Sequence, residues 1–125
     1  MSEAALARSR QELAAAKLLA DNGFNAQAVS RSYYSAFYAA EVALSSIGEV
    51  RSKHAGVIAA VGRILVREHG LEADAGRKLR SLFERRSRAD YEAEQVPAAE
   101  ALRALDDATF VVDEMSRWLQ SRGEL

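Results

Sequence analysis

Arg31-Ser32-Tyr33-Tyr34-Ser35-Ala36-Phe37-Tyr38-Ala39-Ala40-Glu41 has the spacing of a helix and not of a strand. In the wider run from Asn25 to Gly48, Val29, Tyr33, Ala36, Phe37, Ala40, Leu44 and Ile47 recur at steps of three and four and form one apolar stripe. A second line, Ala28, Ser32, Ser35, Ala39, Ala43 and Ser46, carries only small side chains, so a neighbouring helix can approach the backbone closely there. The third line, Arg31, Tyr34, Tyr38, Glu41 and Ser45, includes side chains with apolar bodies and polar tips. A helix with three specialised faces belongs at the centre of a bundle. Its polar-aromatic line is where a site is expected.

The flanking sequence supplies the rest of such a bundle. Ser2 to Asn22 places Leu6, Leu13, Ala16 and Ala20 roughly on one face, with Ser2 as N-cap and Asn22-Gly23-Phe24 as the stop. Asn25 is expected to cap the central helix. The short connection makes the first two helices antiparallel neighbours. After the polar residues Glu49 to Lys53, a third helix begins near Ser52 or Lys53, buries Val57, Ile58, Val61, Ile64 and Leu65, and stops at Gly70. Asp74 is the candidate cap of a fourth helix bearing Leu79, Leu82 and Phe83, whose apolar face continues into Arg86 and Asp90. Tyr91 to Val96 reads as an acidic loop. Pro97 then suits the first turn of a fifth helix striped with Ala101, Leu105, Ala108, Val112, Met115 and Leu119. Phe110, Val111 and Trp118 widen that stripe, as core or as a subunit interface. The expected fold is all-α: an up-and-down antiparallel bundle of four to five helices in a single domain over residues 1–125.

Composition narrows the function classes. No cysteine is present, which excludes a disulfide framework, and no apolar run approaches the ~20 residues of a membrane span. A protein without membrane association, in the cytoplasm, is expected. The net charge of −1 conceals a basic run, Arg77, Lys78, Arg80, Arg85, Arg86 and Arg88, followed by acidic residues from Glu92 to Glu114. Such a run offers contacts to an RNA backbone, although no aromatic residues alternate with its arginines. There is no phosphate-binding glycine loop, no metal-spaced histidine pair and no nucleophile elbow, so no metal or cofactor is expected.

Two places hold chemistry. Arg86 and Asp90 stand one helical turn apart on the inward side of their helix, where charges persist only when paired. Arg31 for Asp90, and Glu41 for Arg86, are the obvious partners on the central helix, with the Tyr34 and Tyr38 hydroxyls in remaining positions. His54 lies at a helix start beside Arg51 and Lys53, where a phosphate is favoured. A network that merely fixes helix register is the structural alternative for the Arg86 group, and a local cap is the alternative for His54.

Taken in order, Arg31-Ser-Tyr-Tyr-Ser-Ala-Phe-Tyr-Ala-Ala, Lys53-His54-Ala-Gly56 and Arg86-Ser-Arg-Ala-Asp90-Tyr91, with Glu100 and Ala108 to Val112 following, resemble the stand-alone prokaryotic HEPN family. The resemblance covers nearly the whole chain. It implies a compact bundle of four or five helices, a homodimer, and pairing with a minimal nucleotidyltransferase as toxin and antitoxin. It also implies metal-independent ribonuclease activity, from an arginine followed four to six residues later by a histidine at a cleft between subunits. There histidine takes the ribose 2′-hydroxyl proton while arginine stabilises the phosphorane-like charge. Here Asp90 stands in place of the histidine. The first expectation is therefore a toxin-like or regulatory subunit binding nucleotide or RNA in a cleft lined by Arg31, Tyr34, Tyr38, Glu41, Lys53, His54, Arg86, Asp90 and Tyr91. The alternatives are an endoribonuclease using Arg86 with His54 or Asp90, and a structural homodimeric interaction module.

Overall fold

The computed structural model describes residues 2–125, with side chains from residue 3 onward; the cap assigned to Ser2 lies outside these. Five helical segments follow one another: α1 (Ser2–Asp21), α2 (Asn25–Ser46), α3 (residues 54–69), α4 (Ala73–Tyr91) and α5 (Ala98–Ser121). Among the described residues there is no strand, and the fold is the all-α bundle that the periodicities predict. No helix among the described residues is long and apolar enough to cross a membrane.

α2 sits at the centre, packed against α1, α4, α5 and the start of α3. Its three faces meet the environments their side chains require. Val29, Tyr33, Ala36, Phe37, Ala40 and Leu44 are buried in the core. Ala28, Ser32, Ser35, Ala39 and Ala43 are fully enclosed, and the short side chains let α1 approach until buried Ser9 donates to the Ser35 carbonyl at 2.6 Å. Arg31, Tyr34 and Tyr38 are half-buried, and Glu41 and Ser45 are exposed.

The ends of the helices follow elementary rules with two exceptions. Gly23, Gly48 and Gly70 close α1, α2 and α3 with φ of 80°, 77° and 75°, the left-handed conformation that a glycine adopts without steric cost. Asn25 does not cap α2: Phe24 holds the cap position, and the Asn25 amide instead donates to the Val96 carbonyl at 3.1 Å, tying the α1–α2 turn to the loop before α5. Asp74 does not cap α4 either; the cap is Glu72, whose carboxylate faces the Asp74 N–H at 3.5 Å. Pro97 stands at the cap position just before α5 and not in its first turn, and the preceding loop contains one 3₁₀ turn, Ala93–Gln95.

α3 is not uniform. α-Helical His54–Ala60 passes into a π-helical run, Val61–Val66, and ends with the α-turn Arg67–His69. Gly76 on α4 lies against this run, and a Cβ there would meet Val66 at 3.3 Å. The missing side chain therefore sets how closely α4 packs.

Phe110, Val111 and Trp118 were open to two readings, and the structure settles the latter two within the chain. Val111 is fully buried, and Trp118 is 6% exposed with its indole N–H donating to the His69 carbonyl at 2.8 Å. These side chains pack inside the subunit and are not available as an interface between subunits. Phe110 is half-buried beneath Lys78, whose ammonium lies 5.3 Å from the ring centre.

Candidate functional site

The polar-aromatic line of α2, the first residue of α3 and the last turns of α4 converge on one cluster. Tyr33, on the apolar stripe, brings its hydroxyl into the protein, where a buried O–H requires a partner. That partner is His54 Nδ1, 2.9 Å away. The imidazole also stacks on Phe37 with ring centres 4.1 Å apart, and it meets the edge of Tyr34 at 5.8 Å. From α4, the Arg86 guanidinium lies 5.1 Å from the centre of Tyr33 and 5.7 Å from that of Tyr34, within cation–π range. Its Nη1 reaches Asp90 Oδ2 at 3.3 Å, the i,i+4 pair expected from sequence, while its Nε is buried with no acceptor. Asp90 itself is half exposed.

These surroundings set the charge states. Burial, and then the positive charge of Arg86, hold the His54 imidazole below its usual value of 6.5, so it is neutral at neutral pH. Burial pushes the Tyr33 hydroxyl well above its ordinary range, an effect that Arg86 only partly offsets, so Tyr33 keeps its proton. With Tyr33 donating, Nδ1 accepts and Nε2 carries the imidazole proton. In the opposite tautomer Nδ1–H donates to the phenol oxygen and the Nε2 lone pair is free.

The depressed value has a measurable consequence. The unfolded chain's histidine takes up a proton near pH 6.5, whereas the folded one resists until lower pH. Its contribution to stability is therefore complete above that point and declines as pH falls through it. Between about pH 7.5 and about pH 5.5, the melting temperature of the parent protein should fall relative to that of His54→Gln. A gap independent of pH would mean an unshifted imidazole.

Two pairings inferred on the central helix are corrected. Arg31 does not reach Asp90; it pairs with Glu12 of α1 at 3.1 Å and lies over Tyr34 at 4.7 Å, because the arginine line turns toward α1 at that end of α2. Glu41 does not meet Arg86 but lies on the wall of a groove of about 780 Å³ further along α2, with Arg8 as its nearby cation. Burial raises the Glu41 carboxyl and Arg8 partly opposes that rise. Tyr38 connects the two regions, 5.8 Å from Tyr34 and hydrogen-bonded to Arg8 at 2.9 Å. Lys53 is exposed beside His54 and takes no part in the cluster's contacts. Tyr91, 93% exposed at the end of α4, projects away from the packed rings.

The basic run of α4 is not a free cationic face. Arg77 is paired with Asp74, Lys78 with Asp107 at 3.2 Å, and Arg85 with both Glu100 and Asp107 at 2.9 and 2.8 Å. Burial works against the Arg85 charge, but those hydrogen bonds outweigh it and hold the guanidinium above its ordinary value. Arg80 and Arg88 alone of the run are exposed without an ion pair among the described residues. Sequence reasoning passed over Tyr33, Phe37 and Arg8. A hydroxyl on an otherwise apolar stripe was the available signal for Tyr33; nothing in the sequence marked Arg8.

A helical bundle whose central helix presents tyrosines to an arginine and a neutral histidine from two other helices defines a class of small α-helical proteins with a packed cationic and aromatic cluster. The chain belongs to the HEPN domain family, whose model matches residues 2–118. It is 32% identical over 112 residues to a Methanocaldococcus jannaschii protein named "Putative toxin", covering 90% of this chain and 84% of that one. A "UPF0332 protein" of Thermotoga maritima is 38% identical over 84 residues, 67% of this chain and 64% of its own length. Another "UPF0332 protein", from Gloeobacter violaceus, is 30% identical over 113 residues, 90% of this chain and 86% of its own.

Proposed function

We propose that this HEPN protein is a toxin-like or regulatory subunit of a two-component system with a minimal nucleotidyltransferase, and that it binds a nucleotide or RNA in the cleft of Tyr33, Tyr34, His54 and Arg86. The name of the archaeal relative supports the toxin-like part. One observation carries the binding part: Arg86 is packed against two tyrosine rings with its Nε buried and without an acceptor. Bonded only to Asp90 through Nη1, the guanidinium has capacity left for a charge-assisted hydrogen bond to a phosphate oxygen, while the neighbouring rings suit a base. A homodimer belongs to the same proposal, with an interface that excludes Val111 and Trp118.

Arg86→Ala is expected to weaken binding of a labelled nucleotide or RNA by about 10- to 100-fold, and Tyr34→Phe by less. Thermal stability should stay within about 1 kcal/mol of the parent in both. Large destabilisation with unchanged binding would return the cluster to a role in helix register.

A neutral imidazole beside a guanidinium favours a second reading, a metal-independent endoribonuclease. With Nδ1–H donated to Tyr33, His54 Nε2 can accept the proton of a ribose 2′-hydroxyl while Arg86 stabilises charge on the phosphate. Asp90 is the weaker candidate for that proton, being half exposed and already bonded to Arg86. RNA cleavage in excess chelator that Arg86→Ala abolishes would support this reading, and equal cleavage by both preparations would remove it.

A further inference from the structure

The aromatic line of α2 continues beyond Arg86. Tyr38 follows Tyr34 with ring centres 5.8 Å apart, and the guanidinium of Arg8, from α1, lies 4.0 Å above Tyr38 while donating to its hydroxyl. Tyr34 carries Arg31 on its ring at 4.7 Å and Arg86 at 5.7 Å. Three arginines from α1, α2 and α4 thus cover two successive tyrosines. They differ in what already neutralises them. Arg31 is paired with Glu12 and Arg86 with Asp90, whereas Arg8 is exposed and, with Glu41 nearby, still makes no ion pair among the described residues.

We propose that Tyr38 and Arg8 form a second base-and-phosphate subsite, which extends the Arg86 cleft into a short track for single-stranded RNA about two to three nucleotides long. The proposal rests on the reading of the cleft as a nucleotide or RNA site. Ring spacing selects the strand type: 5.8 Å exceeds the roughly 3.4 Å per nucleotide of a stacked strand, so successive bases must be splayed apart to meet successive tyrosines. Bases within a duplex cannot do this. The guanidinium that covers each ring is itself a stacking surface, and N–H groups not already bonded to Tyr38, Glu12 or Asp90 remain for phosphate.

Charge also sets where the track ends. Past Tyr38 the groove is lined by Glu41, Glu49 and Glu124, and its other arginine, Arg51, is held by Glu49 at 2.8 Å. Carboxylates outnumber guanidinium groups there, so a phosphate that has passed Arg8 meets repulsion. The strand leaves the surface at that point, and lengthening it adds little.

Fluorescence anisotropy on the full chain tests this with four ribonucleotide probes: a mononucleotide, a trinucleotide, a single-stranded nonamer and a duplex of the nonamer. The trinucleotide should bind about tenfold more tightly than the mononucleotide, with the nonamer within about threefold of the trinucleotide and the duplex about tenfold weaker than its single strand. Arg8→Ala should remove the trinucleotide's advantage while leaving mononucleotide affinity unchanged; Tyr38→Ala should also remove that advantage, and Tyr38→Phe, which keeps the ring, should restore most of it. Equal affinities for mononucleotide and trinucleotide, or an Arg8→Ala protein that binds the trinucleotide as the parent does, would overturn the track. If Arg86→Ala still abolished binding in that case, the cleft itself would stand. Failure of the parent protein to bind any of the four probes would overturn both.

Discussion

Arg85→Ala is expected to destabilise the protein by about 3–5 kcal/mol, measured as the loss of unfolding free energy in urea. The side chain is 11% exposed and makes four N–H contacts, two to Glu100 and one to Asp107 on α5 and one to Ser81 on α4 itself, with the Asp107 carboxylate also shared with Lys78. Removing the guanidinium leaves two carboxylates, each roughly three-quarters enclosed, with only the more exposed Lys78 and Arg103 as counter-charges. Lysine does not replace it, because a single ammonium cannot satisfy Glu100 in the two-pronged manner that the planar group allows. Arg85→Lys should therefore recover only part of the loss. An Arg85→Ala protein as stable as its parent would show that the network contributes nothing beyond what water supplies.

The second large effect concerns Trp118. Trp118→Ala should cost about 3–5 kcal/mol, from the cavity left by a side chain that is 6% exposed and from the His69 carbonyl that loses its donor. Trp118→Asp adds an unpaired charge to the same place and should abolish cooperative thermal unfolding altogether. Had this residue served an interface between subunits, the aspartate variant would instead remain a folded protein of lower mass in sedimentation. A stable, folded Trp118→Asp monomer would contradict the packing described above.

Most of the fold was legible in the sequence because its rules are local. The three lines of α2 follow from side-chain size and a period of 3.6, and the glycines at 23, 48 and 70 end helices for steric reasons that need no tertiary knowledge. Where tertiary contacts compete with local preference the reading failed. Asn25 has the chemistry of a cap, but its amide is drawn to a carbonyl 71 residues away, and Glu72 takes over at the start of α4. The wide turns from Val61 to Val66 leave no mark in the pattern of apolar residues.

The site was half legible. The pair of Arg86 with Asp90 and the inward place of Tyr34 follow from spacing, whereas the sequence marked His54 only as a residue at a helix start. The partners of Arg31 and Glu41 could not be read, because a long side chain on a central helix can turn toward any of several neighbours. Arg8 and Tyr33 show the same limit from both sides. One looked like an ordinary surface cation and the other like an ordinary core aromatic until the helices were in place.

The close seam between α1 and α2, built from small side chains and joined by a turn at Gly23, also bears on the order of events as the chain folds. Contacts within residues 2–46 close short loops and can form early, whereas Arg86 must cross more than 50 positions to reach Tyr33, at a greater entropic penalty. The helical hairpin is thus a ready-made template on which α4 docks late. On this order the cluster of Tyr33, Tyr34, His54 and Arg86 is completed last, so a partly folded chain would carry the scaffold without it.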